Sequence, residues 1–290
     1  GDFQRPGKVG VQRQLHPGDG MCLRQREHHA GQPLGKRSRL PHVGVAIHHA
    51  GNAAEQVDCL AAGRFAAGGY LCAVSQVVGI LIAKAGQVAI VPQKLLLHGP
   101  FTEIYPAAID YRARELGMQR LNEAYAVAAA LGVTRMIVHN GWLPFIYFKS
   151  WQAEKGALFW QTFLRDKPAN FELCIENVLE DEPDMLVDMM RQIDDPRIRL
   201  CLDIGHANAV TAKNLPVTRW IQRLAPYLAH FHLHNNDGSG DTHAAFDAGS
   251  MDMQEILQTI DRCCADDVTY TIEAREPLPC LAWLKAHQYL

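Results

Sequence analysis

The sequence predicts an α/β protein, a (β/α)8 barrel of the TIM-barrel architecture whose units 3 to 8 occupy residues 91–290. Three observations predict it. Short apolar runs alternate with longer amphipathic segments throughout that stretch, the pattern of parallel strands joined by helical crossovers. Six of the runs end on an ionisable residue, namely His98, His139, Glu176, Asp203, His232 and Glu273, at spacings of 41, 37, 27, 29 and 41 residues. A barrel of about 250 residues allots roughly 31 to each unit, so about 200 residues hold six of the eight.

Residues 1–90 should supply units 1 and 2 and do so atypically or incompletely. Residues 43–48 read as strand 1, 52–67 as its helix, 70–74 as strand 2 and 76–90 as the second helix. Residues 1–42 fit none of these, being dense in Gly, Gln, Arg, His and Pro with only three acids. The segment reads either as an unusual pair of barrel units or as sequence read out of frame upstream of the barrel. From residue 91 the strands fall at 94–98, 135–139, 172–176, 199–203, 229–234 and 269–273. Each is apolar until its last residue, as expected of strands buried on both faces. Helical periodicity covers 111–131, with Leu116, Leu121, Ala124, Tyr125, Ala128 and Leu131 on one stripe, then 183–193, 218–228, 252–264 and 278–287. Asp252 followed by Glu255 is a capping-box start.

Composition sets outer bounds. The chain is 48% apolar and 20% charged with a net charge of −3, a globular balance with no basic footprint for nucleic acid. Residues 1–90 carry +5 and residues 91–290 carry −8, so the barrel itself is acidic. Eight cysteines form no CxxC pair and read as reduced thiols. The most apolar stretch, 71–90, is interrupted by Ser75, Gln76, Lys84 and Gln87, too polar for a membrane span, and the N-terminus lacks a leader pattern. The expectation is a soluble, cytoplasmic protein with no membrane contact, and a homo-oligomer is compatible with it.

In such barrels the C-terminal strand ends carry the chemistry. A single His there is more often structural, whereas Glu176 and Glu273 must be paired or metal-bound to offset desolvation. Asp203 and His206 are three residues apart across a tight turn, and Asp241 and His243 repeat the pairing in the loop after His232. Such carboxylate and imidazole donors suit Mn2+, Mg2+, Co2+ or Zn2+. Lys94 stands at the far end of its strand, which disfavours a Schiff-base aldolase. A nucleophile elbow and a P-loop are both lacking in the sequence.

The segments LLLHGPF (95–101), IVHNGW (137–142), CIENV (174–178), LCLDIGHANA (200–209), HFHLHNNDGSGDTH (230–243) and YTIEAR (270–275) resemble the xylose isomerase-like TIM-barrel superfamily, within it the sugar phosphate isomerase/epimerase group related to endonuclease IV. The resemblance implies a divalent-metal enzyme acting on a sugar or sugar phosphate. Glu176, Asp203, His232 and Glu273 match the single-metal site of the epimerase branch, in which two glutamates, here Glu176 and Glu273, move a proton at a metal-chelated ketose. His206 would bind a substrate oxygen. His98, His139, Asp241 and His243 complete the nine positions of the endonuclease IV trinuclear zinc site, so a zinc phosphodiesterase acting on abasic DNA is the alternative. A third reading is a metal-binding barrel without catalysis.

The flanks depart from the nuclease pattern. Asn140-Gly141 stands in place of Pro-Gly, Ile204-Gly205 in place of Thr-Cys, and Ala274-Arg275 in place of Thr-Pro. These departures and the acidic charge favour the isomerase and disfavour nucleic acid as a partner. Trp142, with Phe145, Tyr147, Phe148 and Trp151, would roof the pocket and stack on a sugar or else pack the rim. Arg275 would hold a phosphate or carboxylate, or pair with a nearby acid. His234 reads as a supporting residue beside the metal and His230 as buried in its strand, while Gly238-Ser239-Gly240 reads as a flexible turn.

Overall fold

The computed structural model describes the backbone of Val43–Val45, Cys72–Ser75 and Leu95, and residues 96–211 and 214–290 in full. All lie in one compact unit from Lys36 to Leu290. The elements are β1 (Val43–Val45), β2 (Cys72–Ser75), β3 (Leu95–His98), α1 (Tyr111–Ala130), β4 (Arg135–His139), α2 (Lys149–Leu164), β5 (Glu172–Glu176), α3 (Asp184–Gln192), β6 (Ile198–Asp203), α4 (Ile204–Thr211), α5 (Val217–Leu224), β7 (Leu228–Leu233), α6 (Met253–Cys263), β8 (Thr269–Ile272) and α7 (Pro277–Ala286).

Strands β3 to β8 pair in parallel, each with the next, and curl into a half-barrel. Two short strands from residues 1–90 close the ring in the order β1 to β8. Strand β1 is parallel to β8, but β2 runs antiparallel to both β1 and β3, with Cys72 opposite His98 and Ser75 opposite Leu95. The atypical character expected of the first two units is this reversal together with strands of three and four residues. The expected helices at 52–67 and 76–90, the interrupted apolar stretch from 76, the outer residues of the two expected strands and the whole of 1–42 lie outside the described residues.

Alternation along each parallel strand sorts side chains between the helix layer and the barrel interior. Met136 and Val138 of β4, Leu173 and Ile175 of β5, Leu200 and Leu202 of β6, and Phe231 and Leu233 of β7 join one core with Trp160, Phe163, Leu186, Trp220, Ile256 and Leu284 of the helices. The opposite faces of β4, β5 and β6 put Ile137, Cys174 and Cys201 into a small second cluster. At one end Arg135 is salt-bridged to Glu172 and donates to Thr269. At the other end the same inward positions fall to His139, Glu176 and Asp203; His139 is in register with Glu176, and Asp203 with His232.

Two helices were not foreseen. Helix α2 covers a stretch for which the sequence shows no helical stripe. Ala153, Ala157, Phe159, Trp160, Phe163 and Leu164 are all buried, so apolar residues fall on several faces and blur the helical stripe. Helix α4 begins directly after Asp203 and puts His206 in its first turn, where the sequence suggested a tight turn. On α1 the apolar stripe is narrower than expected: Leu121 and Ala128 are buried, while Leu116 and Leu131 are exposed. The expected 218–228 helix ends at Leu224, because Leu228 already belongs to β7. No helix among the described residues is long and apolar enough to cross a membrane.

The loop after β4 depends on Gly141. Its φ is +66°, and a β-carbon there would run into the Ile104 carbonyl and the Pro106 ring. Gly132 has φ +68° with open space around it. Gly141→Ala therefore meets both strain and overlap, and Gly132→Ala meets strain alone. Thermal unfolding should show a loss of at least about 1–3 kcal/mol for Gly141→Ala, a fall in Tm of several degrees, and a smaller fall for Gly132→Ala.

Candidate metal centre

Strands β3 to β7 each bring one site residue to the same end of the barrel, and the first turn of α4, the β7–α6 loop and the residue after β8 complete the set. Glu176, Asp203 and Glu273 are 1%, 0% and 6% exposed, which removes most of their hydration. All three surround one atom: His232 Nδ1 lies 3.1 Å from Glu176 Oε1, 3.4 Å from Glu273 Oε1 and 3.6 Å from Asp203 Oδ2. Glu176 is shared. Its second oxygen, Oε2, is 3.2 Å from His98 Nε2 and 3.6 Å from His139 Nε2. On the other side Asp241 Oδ2 is 2.9 Å from His243 Nε2 and 3.3 Å from His206 Nε2. His206 Nδ1 is 3.4 Å from Glu176 Oε1 and 3.8 Å from Asp203 Oδ2, joining the outer group to the central one.

Asp203 is held by the backbone around it. As the residue before α4 it accepts from the His206 amide at 2.7 Å through Oδ1, the capping position of a helix N-terminus. Its own amide donates to Asn177 Oδ1, and Asn177 Nδ2 donates back to the Asp203 carbonyl. Asn177 thereby ties β5 to β6 at the level of the site. A second buried pair does the same beside β4: Asn140 donates to Glu180 at 2.8 Å, and Gln152 donates to the Asn140 carbonyl. Burial raises the Glu180 carboxyl above its usual range.

The electrostatics follow from the crowding. Burial alone would push the Glu176 and Asp203 carboxyls up, but imidazoles outweigh it: His232, His139 and His98 for Glu176, and His206, His234 and His232 for Asp203. Both are held well below the carboxylate range. Burial is likewise outweighed at His206 by Asp203, Asp241 and Glu176, and at His243 by Asp241; the first is raised well above its ordinary value and the second to about 9. His139 goes the other way, and burial lowers it to about 3. Among the described residues the ion-pair partners of Glu176, Asp203, Glu273 and Asp241 are all histidines.

This arrangement fits divalent ions. Donors bound to one ion at about 2.0–2.2 Å stand roughly 3–3.5 Å apart. Three adjoining groups, His98/His139/Glu176, Glu176/Asp203/His232 and His206/Asp241/His243, each keep their ligand atoms within 4.8 Å of one another. The Nε2 atom of His232 and the Nδ1 atom of His234 are buried with no hydrogen-bond partner. Cys201 with His230 and His232 satisfies the same distance criterion, yet burial pushes its thiol up to about 12. His230 already uses both ring nitrogens, on the Thr269 and Thr271 hydroxyls.

All nine candidate ligands named from the sequence therefore meet at one end of the barrel. The aromatic residues after β4 differ in exposure. Trp142 is buried, with its N–H donated to the Tyr147 carbonyl, and the exposed aromatics of that loop are Phe145 and Phe148. Trp151 donates to the Ala107 carbonyl and packs the rim. Arg275 is exposed, and its amide donates to the His243 carbonyl. Sequence reading missed Asn140, Gln152 and Glu180.

In metal-free protein the Asp241–His243 pair stabilises the fold below pH 6.5, and that contribution is lost as pH rises through about 9. Chelator-treated protein should therefore lose Tm between pH 6.5 and 9. Metal-loaded protein should hold its Tm over the same range, since ligation requires neutral imidazole.

Comparison with known proteins places the fold. The family described as xylose isomerase-like TIM barrel matches residues 76–287. The chain is 25% identical over 189 residues to the uncharacterized protein MJ1311 of Methanocaldococcus jannaschii, which covers 60% of this chain and only 62% of the relative's length. Among solved structures, the TTHB071 protein from Thermus thermophilus, soaked with ZnCl2, is 27% identical with a TM-score of 0.59 over 68% of this chain and 78% of its own. A D-tagatose 3-epimerase-like protein is 21% identical with a TM-score of 0.57, covering 66% and 76%, a likeness that speaks to the fold. The chain belongs to the xylose isomerase-like TIM-barrel family.

Proposed function

We propose that the protein is a divalent-metal enzyme that hydrolyses a phosphate ester, in first place a phosphodiester, of a small sugar-containing molecule. The observation that carries this reading is the convergence of His98 and His139 on one oxygen of Glu176, and of His206 and His243 on one oxygen of Asp241, beside the central Glu176, Asp203, His232 and Glu273 group. The resemblance implies only the central group for a ketose isomerase; the two flanking groups suit a phosphoryl centre, where charge must be neutralised at several oxygens. This reverses the preference drawn from the sequence flanks.

Bound ions would supply Lewis acidity and a nucleophile from water at neutral pH. The chain's own residues hold them and order the site. Glu176 spans the first two groups through its two oxygens. His139, kept neutral by burial, offers a free ring nitrogen without first losing a proton. Glu273 and Glu176 stand on two sides of His232 Nδ1, where either carboxylate can accept a proton from an attacking water. Arg275 offers an exposed cation for an anionic substrate. The acidic charge of residues 91–290 opposes a duplex backbone, which points to a small molecule.

A second reading retains support. The same Glu176 and Glu273 pair could move a proton at a ketose, and the fold of the D-tagatose 3-epimerase-like protein accords with that. Metal analysis followed by assay separates the two. The proposal expects about three ions per chain, one for each adjoining group, with release of nitrophenol from bis(p-nitrophenyl) phosphate. Glu176→Gln should reduce that activity by about a thousandfold or more. One ion per chain with ketose interconversion would install the isomerase reading, and cleavage of abasic DNA would correct the substrate class. Bound metal with neither activity would leave a non-catalytic barrel.

A further inference from the structure

His234 lies outside the three adjoining groups, although a ring nitrogen of it also comes within 4.8 Å of ligand atoms of His243 and Glu273, and it is fully buried. Its Nε2 lies 3.0 Å from Asp203 Oδ1 and 3.1 Å from Oδ2, so the N–H there donates to the carboxylate. Its Nδ1 has no hydrogen-bond partner and faces Asp241 Oδ1 at 3.8 Å. The ring stacks flat on His243, with centroids 4.0 Å apart and an interplanar angle of 7°. One imidazole thus touches a ligand of the central group through an edge and a ligand of the outer group through a face.

The room for that ring is made by another residue. Gly205 sits in the first turn of α4, between Asp203 and His206, and a β-carbon on it would overlap the His234 ring itself. Its carbonyl accepts from Asn236 Nδ2 at 2.8 Å, which pins the start of α4 to the segment carrying His234. The space for the His234 ring thus depends on position 205 having no side chain.

We infer that His234 is a positioning residue for the metal centre: it fixes the Asp203 carboxylate, backs His243, and so sets the spacing of the central and outer groups, with Gly205 required to admit its ring. The inference rests on the barrel mouth holding metal and not on which reaction follows. A carboxylate already bonded on one side by the His206 amide is left with little freedom once His234 bonds it on the other. Partners of this kind, bonded to a metal ligand, typically change metal affinity by about 10–100-fold.

The test is zinc titration of chelated protein against a competing chelator, with Tm of the metal-free form as a control on folding. His234→Leu keeps bulk and loses the donor, and should weaken zinc binding by about 10–100-fold. His234→Gln places an amide N–H close to the position of Nε2 and should stay within about threefold of the unaltered protein. Gly205→Ala should behave as His234→Leu does. If the Leu variant fails to fold, the Gln and Gly205→Ala pair decides by the same criterion. Unaltered affinity in His234→Leu and Gly205→Ala overturns the inference, and so does a loss in His234→Gln as deep as in Leu, which would make the ring itself a ligand. Unaltered protein that takes up no zinc overturns the metal centre as well, which separates failure of that reading from failure of this one.

Discussion

Three buried carboxylates around a single imidazole nitrogen set the terms for everything else at this barrel mouth. Glu176, Asp203 and Glu273 have lost nearly all contact with water, and removing one carboxylate from water costs several kcal/mol even after relaxation. Their ion-pair partners among the described residues are histidines, whose charge disappears within the ordinary pH range. A set of acids compensated only by titratable rings is stable when protons, or ions in their place, supply the positive charge. The shifted groups of the site, with Glu176 and Asp203 held ionised and His206 and His243 held protonated, are two sides of that one requirement.

The fold meets the requirement through the register of its strands. Side-chain alternation puts apolar residues toward the helices and leaves one inward column per strand, with the Arg135–Glu172 ion pair at one end and the site's acids and imidazoles at the other. Backbone capping then does local work. Asp203 is at once the residue that caps α4 and the residue shared by the surrounding imidazoles. Asn177 locks β5 to β6 beside it. These are fixed, buried contacts, and they leave the reacting groups little room to drift, which is what preorganised catalysis needs.

The ligand set was legible in the sequence because a polar residue ending a buried strand breaks an otherwise apolar run, and six such breaks came at barrel spacing. Helix α2 was not legible because Ala153, Phe159, Trp160 and Phe163 bury several of its faces and erase the stripe. Helix α4 was read as a turn because its first residues, Ile204 and Gly205, follow the strand directly and no linker announces it. The reversal of β2 escaped because alternation marks a strand without its direction. Asn140, Gln152 and Glu180 look like ordinary loop and helix polar residues, and only the fold makes them one buried network.

The central claim is that Glu176 joins two adjoining groups of ligands and that His206 joins a third. Anomalous diffraction at the zinc edge from zinc-loaded crystals tests it most directly. The account predicts separate peaks at the His98/His139/Glu176, Glu176/Asp203/His232 and His206/Asp241/His243 groups, with Glu176 between the first two. A single peak at the central group, or none, would contradict it.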